Sequence, residues 1–410
     1  MPPIRVLVVD DSVVIRRLVT DVLSGDPDIE VVGTAANGRI ALSKVEALMP
    51  DAITLDIEMP IMDGIETVRA LRRAGRRMPV IMFSTLTERG ASATLDALDA
   101  GASDYVTKPA NVGSVTESLA QVRSSLVPKI KALCAARRPP VVARRPPPVA
   151  RVATVATVAT RGIGGIGGTG GTGTTGKAPG TTAAPPRASS WSPGPGPGPR
   201  LAPPRRASSP YRVLAVGCST GGPDALRTLL AGLPADLGVP VVVVQHMPPV
   251  FTAQFAARLD RALPLTVVEA TAGLVLRPGH VYLAPGDFHL RITPAAGGGR
   301  TELDRGAPEN FCRPAVDLLF RSVVATYGRD VLAAVLTGMG QDGRRGAIDI
   351  VAAGGSVLAQ DEASSVVWGM PGAVTNDGSA EEVLPIGLLG QTLARRLTRS
   401  AAPVGSRVGR

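Results

Sequence analysis

Two α/β domains, each a doubly wound parallel sheet, are predicted for this chain of 410 residues, with a disordered linker between them. Three observations predict them. Apolar runs of strand length alternate with segments of helical spacing, up to about residue 125 and again from residue 211. These runs are apolar at nearly every position, the pattern of parallel strands covered on both faces. Between the two halves, from about 137 to 209, neither period is present.

The first strand is expected at 4–9, where it runs into Asp10 and Asp11. Helical spacing follows in Val14, Leu18 and Val22. Further strands are read at 29–33, 52–55, 80–83 and 104–106, and 114–136 has the pattern of a last helix. In the second half strands are read at 212–216, 239–245, 266–269, 281–284, 331–336 and 356–359. Helices are read there at 223–232, 250–262, 314–326 and 343–353. The expected division is a first domain over 1–125, a linker over 126–210, a second domain over 211–397 and a flexible tail over 398–410.

The linker holds Val-Ala-Thr triplets at 152–160, a Gly-Thr tract at 162–176 and Pro-Gly alternation at 193–199. No face there could be buried to offset the entropy of ordering, so disorder is expected. It also explains the charge. The chain carries a formal +10, yet 137–206 contains eleven Lys and Arg and no acid, which leaves −1 for the rest. The basicity belongs to a tether, and a nucleic-acid partner is not expected.

Aromatic residues make up only 3% of the chain, so Val, Leu, Ile and Ala must build the cores. Three widely spaced cysteines, Cys134, Cys218 and Cys312, suggest neither a disulfide framework nor a zinc site. The N-terminus reads as a strand, not a signal peptide, and no apolar run reaches the ~18 residues of a membrane span. A soluble cytoplasmic monomer is the expectation.

Asp10, Asp11 and Asp56 fall at the carboxyl ends of the first and third strands, which in an open parallel sheet converge on one crevice. Three carboxylates there repel one another unless a divalent cation neutralises them, and Mg²⁺ suits oxygen ligands. Ser84 ends a later strand, and Lys108 follows the last one. An acceptor carboxylate, a metal, a hydroxyl and an ammonium suit phosphoryl transfer onto an aspartate.

This region resembles bacterial response-regulator receiver domains, of flavodoxin-like fold, over residues 1–125. The resemblance lies in Val8-Val9-Asp10-Asp11-Ser12, Asp56-Ile57-Glu58-Met59-Pro60-Ile61-Met62-Asp63-Gly64, Ser84-Thr85 and Tyr105-Val106-Thr107-Lys108-Pro109. It implies that Asp56 takes phosphate from a histidine kinase. It implies that Asp11, Asp56 and the carbonyl of Glu58 hold Mg²⁺, with Asp10 helping through water. Ser84 and Tyr105 would then be the switch pair, with Lys108 at the same rim.

In the second domain the strand at 212–216 leads into Gly217-Cys218-Ser219-Thr220-Gly221-Gly222 and then a helix. The turn lacks the Gly-Lys-Ser/Thr of a P-loop and the glycine spacing of a dinucleotide fold. It satisfies G-x-S-x-G, which exposes a serine hydroxyl beside a helix N-terminus. A serine nucleophile needs a base. Of the chain's histidines, His280 stands just before a strand and His289 in an expected hairpin after Gly286-Asp287-Phe288, whereas His246 sits at the carboxyl end of the strand at 239–245. An orienting carboxylate should also lie at a strand end. Asp342, in Thr337-Gly338-Met339-Gly340-Gln341-Asp342-Gly343, has that position, and backbone N–H groups near Met339 could face a developing oxyanion. Asp317 and Asp287 are rivals on chemistry alone.

These residues resemble the catalytic domain of the chemotaxis protein-glutamate methylesterases, the CheB type, over most of 211–390. Besides the serine and Asp342 motifs, the match includes Gln245-His246-Met247-Pro248, Tyr282-Leu283-Ala284-Pro285-Gly286-Asp287, Arg313-Pro314-Ala315-Val316-Asp317-Leu318-Leu319-Phe320, Ala359-Gln360-Asp361-Glu362-Ala363-Ser364-Ser365 and Trp368-Gly369-Met370-Pro371. The resemblance implies Ser219 as nucleophile, His246 as general base and acid, Asp342 as orienting carboxylate, Met339 N–H in the oxyanion hole and Thr220 as support. It implies methyl-accepting chemoreceptors as substrates and no cofactor for the esterase, and it allows deamidation of receptor glutamines by the same tetrahedral chemistry. It also implies a receiver that blocks the cleft until phosphorylated. The linker departs from the family in being much longer, although closure entropy grows only logarithmically with length. The rival assignments are a response regulator whose output domain binds nucleic acid or protein, and an esterase of another substrate class.

Overall fold

Strand-length apolar runs become strands here because covering helices bury them on both faces. The structure is a computed structural model and describes residues 2–109, 115–135, 201–204 and 210–401. All of these fall within one compact unit. The disorder expected for the linker concerns residues that mostly lie outside the described ones, and the same holds for the tail from 402.

The first sheet comprises β1 (Ile4–Val9), β2 (Ile29–Ala35), β3 (Ala52–Asp56), β4 (Val80–Ser84) and β5 (Asp104–Thr107). All its pairings are parallel, in the order β2-β1-β3-β4-β5. Its helices are α1 (Val13–Ser24), α2 (Gly38–Leu48), α3 (Gly64–Arg73), α4 (Glu88–Asp99) and α5 (Val115–Ala135). Side-chain caps start α1 to α4: Ser12, Asn37, Asp63 and Thr87 each accept from a backbone N–H of the first turn. Asp63 and Glu66 form a reciprocal capping box. Helix α5 runs to Ala135, so residues 126–135, allotted to the linker above, are helical. Val122, Leu126, Ile130 and Leu133 bury its apolar stripe in the core with β1 and α1 residues.

The second sheet has seven parallel strands: β6 (Val213–Cys218), β7 (Val241–Gln245), β8 (Thr266–Glu269), β9 (His280–Leu283), β12 (Val331–Val335), β13 (Ser356–Gln360) and β14 (Glu382–Leu384). Between β9 and β12 a separate antiparallel hairpin, β10 (His289–Ala295) with β11 (Gly298–Asp304), stands beside it. The sheet order is β14-β13-β12-β6-β7-β9-β8. Its helices are α6 (Gly222–Ala231), α7 (Phe251–Ala262), α8 (Val316–Tyr327), α9 (Arg344–Ala352), α10 (Met370–Asn376) and α11 (Ile386–Ala401). The last two, with β11 and β14, escape the sequence reading. β14 is only three residues long and half-buried, too short for a period to show. Helix α11 also continues through 398–401, where a tail was expected. Ala202 likewise, within the expected linker, donates its N–H to the Ala380 carbonyl at 2.8 Å.

Strands β12, β6 and β7 are neighbours, with Gly217 opposite Val335 and Cys218 opposite Gln245. The segments leaving these three strands therefore emerge side by side at one rim.

Candidate active site

Ser219 leaves β6 one residue beyond the Cys218–Gln245 pair, and His246 leaves β7 at the same level. Backbone bonds hold both ends. His246 N–H donates to the Cys218 carbonyl at 3.1 Å, and Ser219 N–H to the Thr337 carbonyl at 3.0 Å. Gln245, buried, donates from Nε2 to the carbonyls of Ser219 (3.0 Å) and His246 (3.2 Å). Its amide thus ties the two strand ends together. A methyl group at Gly222 would lie 2.0 Å from Gln245 Oε1, so this crossing requires glycine. Gly221, at φ +73°, turns the chain sharply from Ser219 into α6.

The loop after β12 closes on the serine from the other side. A Cβ at Gly338 would stand 2.8 Å from Ser219 Cβ and 2.4 Å from Met370 Sδ. Gly338 N–H donates to the Val367 carbonyl, and Thr337 N–H to Gln360 Oε1 at 2.8 Å. The N–H of Met339 has no acceptor among the described residues.

Asp342 is buried and meets His246 directly: Nε2 lies 2.9 Å from Oδ2. Its oxygens also accept from the N–H groups of Val316, Asp317 and Gly343 and from Asn310 Nδ2. Burial opposes the charge of Asp342, but the imidazole and these donors outweigh it and hold its pKa below the ordinary value. Burial would lower the pKa of His246. The hydrogen bonds to Asp342 and Cys312 outweigh it and raise the imidazole well above its ordinary value. Although His246, Cys312 and Asp342 lie close enough to share a metal ion, the Asp342 oxygens are already taken up by four donors and the imidazole. That donor set orients an imidazole.

The second ring nitrogen of His246, Nδ1, lies 3.5 Å from Cys312 Sγ. No hydrogen bond joins Ser219 to the imidazole among the described residues, although both line one cleft of about 400 Å³. Sequence reasoning missed Cys312, Asn310 and Gln245. Nothing in the spacing of a lone cysteine or asparagine reveals such a contact. Gln245 had a signal, a polar side chain at the end of an all-valine strand.

The rival residues stand elsewhere. Asp317 lies behind Asp342, joined to it by Asn310 Nδ2 at 2.9 Å, and its pKa is raised, chiefly by burial. Asp287 pairs with Arg313, His280 Nδ1 with the Pro278 carbonyl, and buried His289 Nε2 with the Ala307 carbonyl. Cys218, next to the serine, is fully buried, and burial pushes its thiol pKa strongly upward. It stays protonated and does not compete as a nucleophile.

In the first domain Asp10, Asp11 and Asp56 offer oxygens within 4.8 Å of one another. Lys108 Nζ bridges Asp10 (3.0 Å) and Asp56 (2.8 Å). Burial pushes Asp56 up to about 6, with Asp10 adding to it against the pull of Lys108. Asp10 Oδ2 is buried and, despite the nearby ammonium, accepts no well-aligned hydrogen bond. Crowded carboxylates short of positive charge fit a hard divalent cation. Asp11, Asp56, Glu58, Ser84 and Lys108 line one cavity of about 270 Å³. The Glu58 carboxylate turns out to Arg89 at 3.4 Å. The Ser84 hydroxyl is 3.1 Å from the Gly90 carbonyl and accepts from Thr94 at 2.7 Å.

Tyr105 joins the two domains. Its buried ring stacks on Phe251 of α7, centroids 4.8 Å apart and planes 6° from parallel. Thr220 Oγ1 donates to Asp104 Oδ2 at 2.7 Å, and Arg258 reaches Asp96 (2.8 Å) and Asp99 (2.5 Å) on α4. Residues of the first domain, among them Asp104, Tyr105 and Lys129, wall the cleft that holds Ser219 and His246.

A family model described as CheB methylesterase matches residues 214–393, and one described as response regulator receiver domain matches 6–120. A protein-glutamate methylesterase/protein-glutamine glutaminase of Nocardioides sp. is 57% identical over 409 residues, 99% of this chain and 100% of the relative. One of the same name from Trichodesmium erythraeum is 42% identical over 397 residues, 97% of this chain and 100% of the relative. The crystal structure of the Thermotoga maritima CheB methylesterase catalytic domain is similar at 42% identity, over 45% of this chain and 98% of that one, with a TM-score of 0.44. Among the described residues, no helix is long and apolar enough to cross a membrane.

Proposed function

We propose, for a chain that belongs to the protein-glutamate methylesterase/protein-glutamine glutaminase family, that it hydrolyses glutamate methyl esters on methyl-accepting chemoreceptors under control of receiver phosphorylation. The observation that carries the reading is the His246–Asp342 hydrogen bond of 2.9 Å, set in the same cleft as Ser219.

Because Nε2–H is committed to Asp342, Nδ1 is the nitrogen that takes the serine proton. Cys312 occupies that side and yields as substrate enters. The Ser219 oxygen attacks the ester carbonyl, and the imidazolium is stabilised by the Asp342 carboxylate. The oxyanion meets the Met339 N–H, with the N-terminus of α6 close by. Collapse expels methanol, which takes its proton from His246, and a water deprotonated by the same imidazole hydrolyses the acyl-enzyme. A glutamine amide follows the same course with ammonia as leaving group. Thr220 supports the turn: its carbonyl accepts from Thr337 Oγ1 at 3.0 Å.

Asp56 is the proposed phosphate acceptor, served by a histidine kinase. Asp10, Asp11, Asp56 and the Glu58 carbonyl would hold Mg²⁺, which supplies charge neutralisation at the carboxylates when bound. Lys108 and the Ser84 hydroxyl line the same cavity as Asp56, ready to meet phosphoryl oxygens. Drawing Ser84 away from Gly90 alters β4 and α4, and α4 carries Asp96 and Asp99, the partners of Arg258. Release of that contact and of the Tyr105–Phe251 stack would open the cleft. Such a substrate places the protein at the cytoplasmic face of the receptors.

The decisive experiment is methanol release from methylated receptor, with and without a phosphodonor. Ser219→Ala should abolish it, and retained turnover would refute the assignment.

A further inference from the structure

The turn Glu309–Cys312 is bolted down at every position but one. Glu309 is gripped by Arg321 through both carboxylate oxygens (2.9 and 2.5 Å). Asn310 Nδ2 bridges Asp317 and Asp342 (2.9 and 2.8 Å). Cys312 Sγ touches His246 Nδ1, and Arg313 pairs with Asp287 at 3.0 Å. Glu309 and Cys312 also exchange both backbone hydrogen bonds, at 3.1 and 2.9 Å. Phe311 alone points away, with a relative exposure of 103%. Phe83, Phe251, Phe255 and Phe320 are buried.

The backbone makes this placement costly. Asn310 and Phe311 both adopt left-handed conformations, φ 52° and 63°. Asparagine tolerates that region, but a bulky aromatic residue does not, and packing gives Phe311 nothing in return. A strained residue held by its neighbours beside reactive groups points to use rather than to folding.

We propose that Phe311 is the docking anchor for the polypeptide substrate, holding an apolar side chain near the ester-bearing glutamate. This rests on the hydrolase reading above. The occupant follows from continuity with the catalytic cleft: the residues on either side of Phe311 contact Asp342 and His246, so a protein presenting its side chain to Ser219 lies across this turn. Exposed aromatic residues are the common anchors of such contacts because they offer large area at little entropic cost. The ring is free while receiver residues wall the cleft. Docking through Phe311 therefore does not wait for phosphorylation.

The test is steady-state methanol release from methylated receptor by the full chain, comparing wild type with Phe311→Asn and Phe311→Tyr. Asparagine suits the left-handed backbone, so the melting temperature should hold or rise. KM should increase about tenfold with kcat unchanged, with or without a phosphodonor, and tyrosine should restore it. An unchanged KM for the asparagine variant, or a loss confined to kcat, overturns the proposal. A wild-type chain that releases no methanol instead sinks the hydrolase reading on which it rests.

Discussion

Thr220, the residue after Ser219, donates a buried 2.7 Å hydrogen bond to Asp104, the residue before Tyr105. One bond therefore connects the neighbour of the proposed nucleophile to the neighbour of the proposed switch ring. Asp104 is itself held by Lys129 at 2.8 Å, and Lys129 Nζ lies 5.2 Å from the Tyr105 ring centroid. A change in β5 would reach the turn that carries Ser219.

If this contact restrains the esterase, loosening its edge should raise basal activity. Arg258→Ala removes the pairs to Asp96 and Asp99, partly exposed contacts of the kind that contribute about 0.2–1 kcal/mol each. A rise of about two- to fivefold is expected without phosphodonor, and little change with it. Equal effects in both conditions would show that Arg258 serves only folding.

The pH profile follows from the raised pKa of His246. Below that pKa the imidazole is protonated and cannot accept the serine proton. The rising limb of kcat/KM should therefore lie above the ordinary imidazole value of about 6.5. Asp342→Asn removes the stabilising carboxylate, so the limb should move to lower pH while the rate drops by about 10³ to 10⁴. A limb unmoved in this variant would detach the titration from His246.

Cys312 contributes to the same shift and covers Nδ1. Cys312→Ala should lower the pH of the limb and raise the rate at neutral pH a few-fold. The check is a paired profile of wild type and variant; superimposable curves would remove Cys312 from the mechanism.

Asp56, pushed up to about 6 by burial and by Asp10, should lose its proton when Mg²⁺ binds. Affinity for Mg²⁺ should be weaker at pH 5.5 than at 7.5, with proton release on binding near pH 6. Calorimetry in buffers of different ionisation enthalpy measures both. Equal affinities would argue against a site on Asp56.

Gly338 passes so close to Ser219 and Met370 that a methyl group must displace one of them. Gly338→Ala should cut kcat about a hundredfold, the cost of a displacement near 1 Å at a reacting group. Near-normal turnover would mean that this loop does not position the serine.

Much of the fold was legible because its cause is local. Nearly continuous apolar runs such as 4–9 and 331–335 are strands wherever helices cover both faces. The extent of the first domain was less legible. Helix α5, read at 114–136, continues past the domain limit placed at 125 because its stripe runs on to Leu133 against a core that the local pattern does not display.

The amino-acid order by itself determined two doubly wound parallel sheets and the strand-end positions of Asp10, Asp56, Ser219, His246 and Asp342. Those depend on hydrophobic period and turn chemistry, which operate within a few residues. Only the tertiary structure decided which ring nitrogen of His246 faces Asp342, that Cys312 covers the other, and that Tyr105 stacks on Phe251. Such contacts join groups up to 146 positions apart, and their geometry is set by the packing of whole elements.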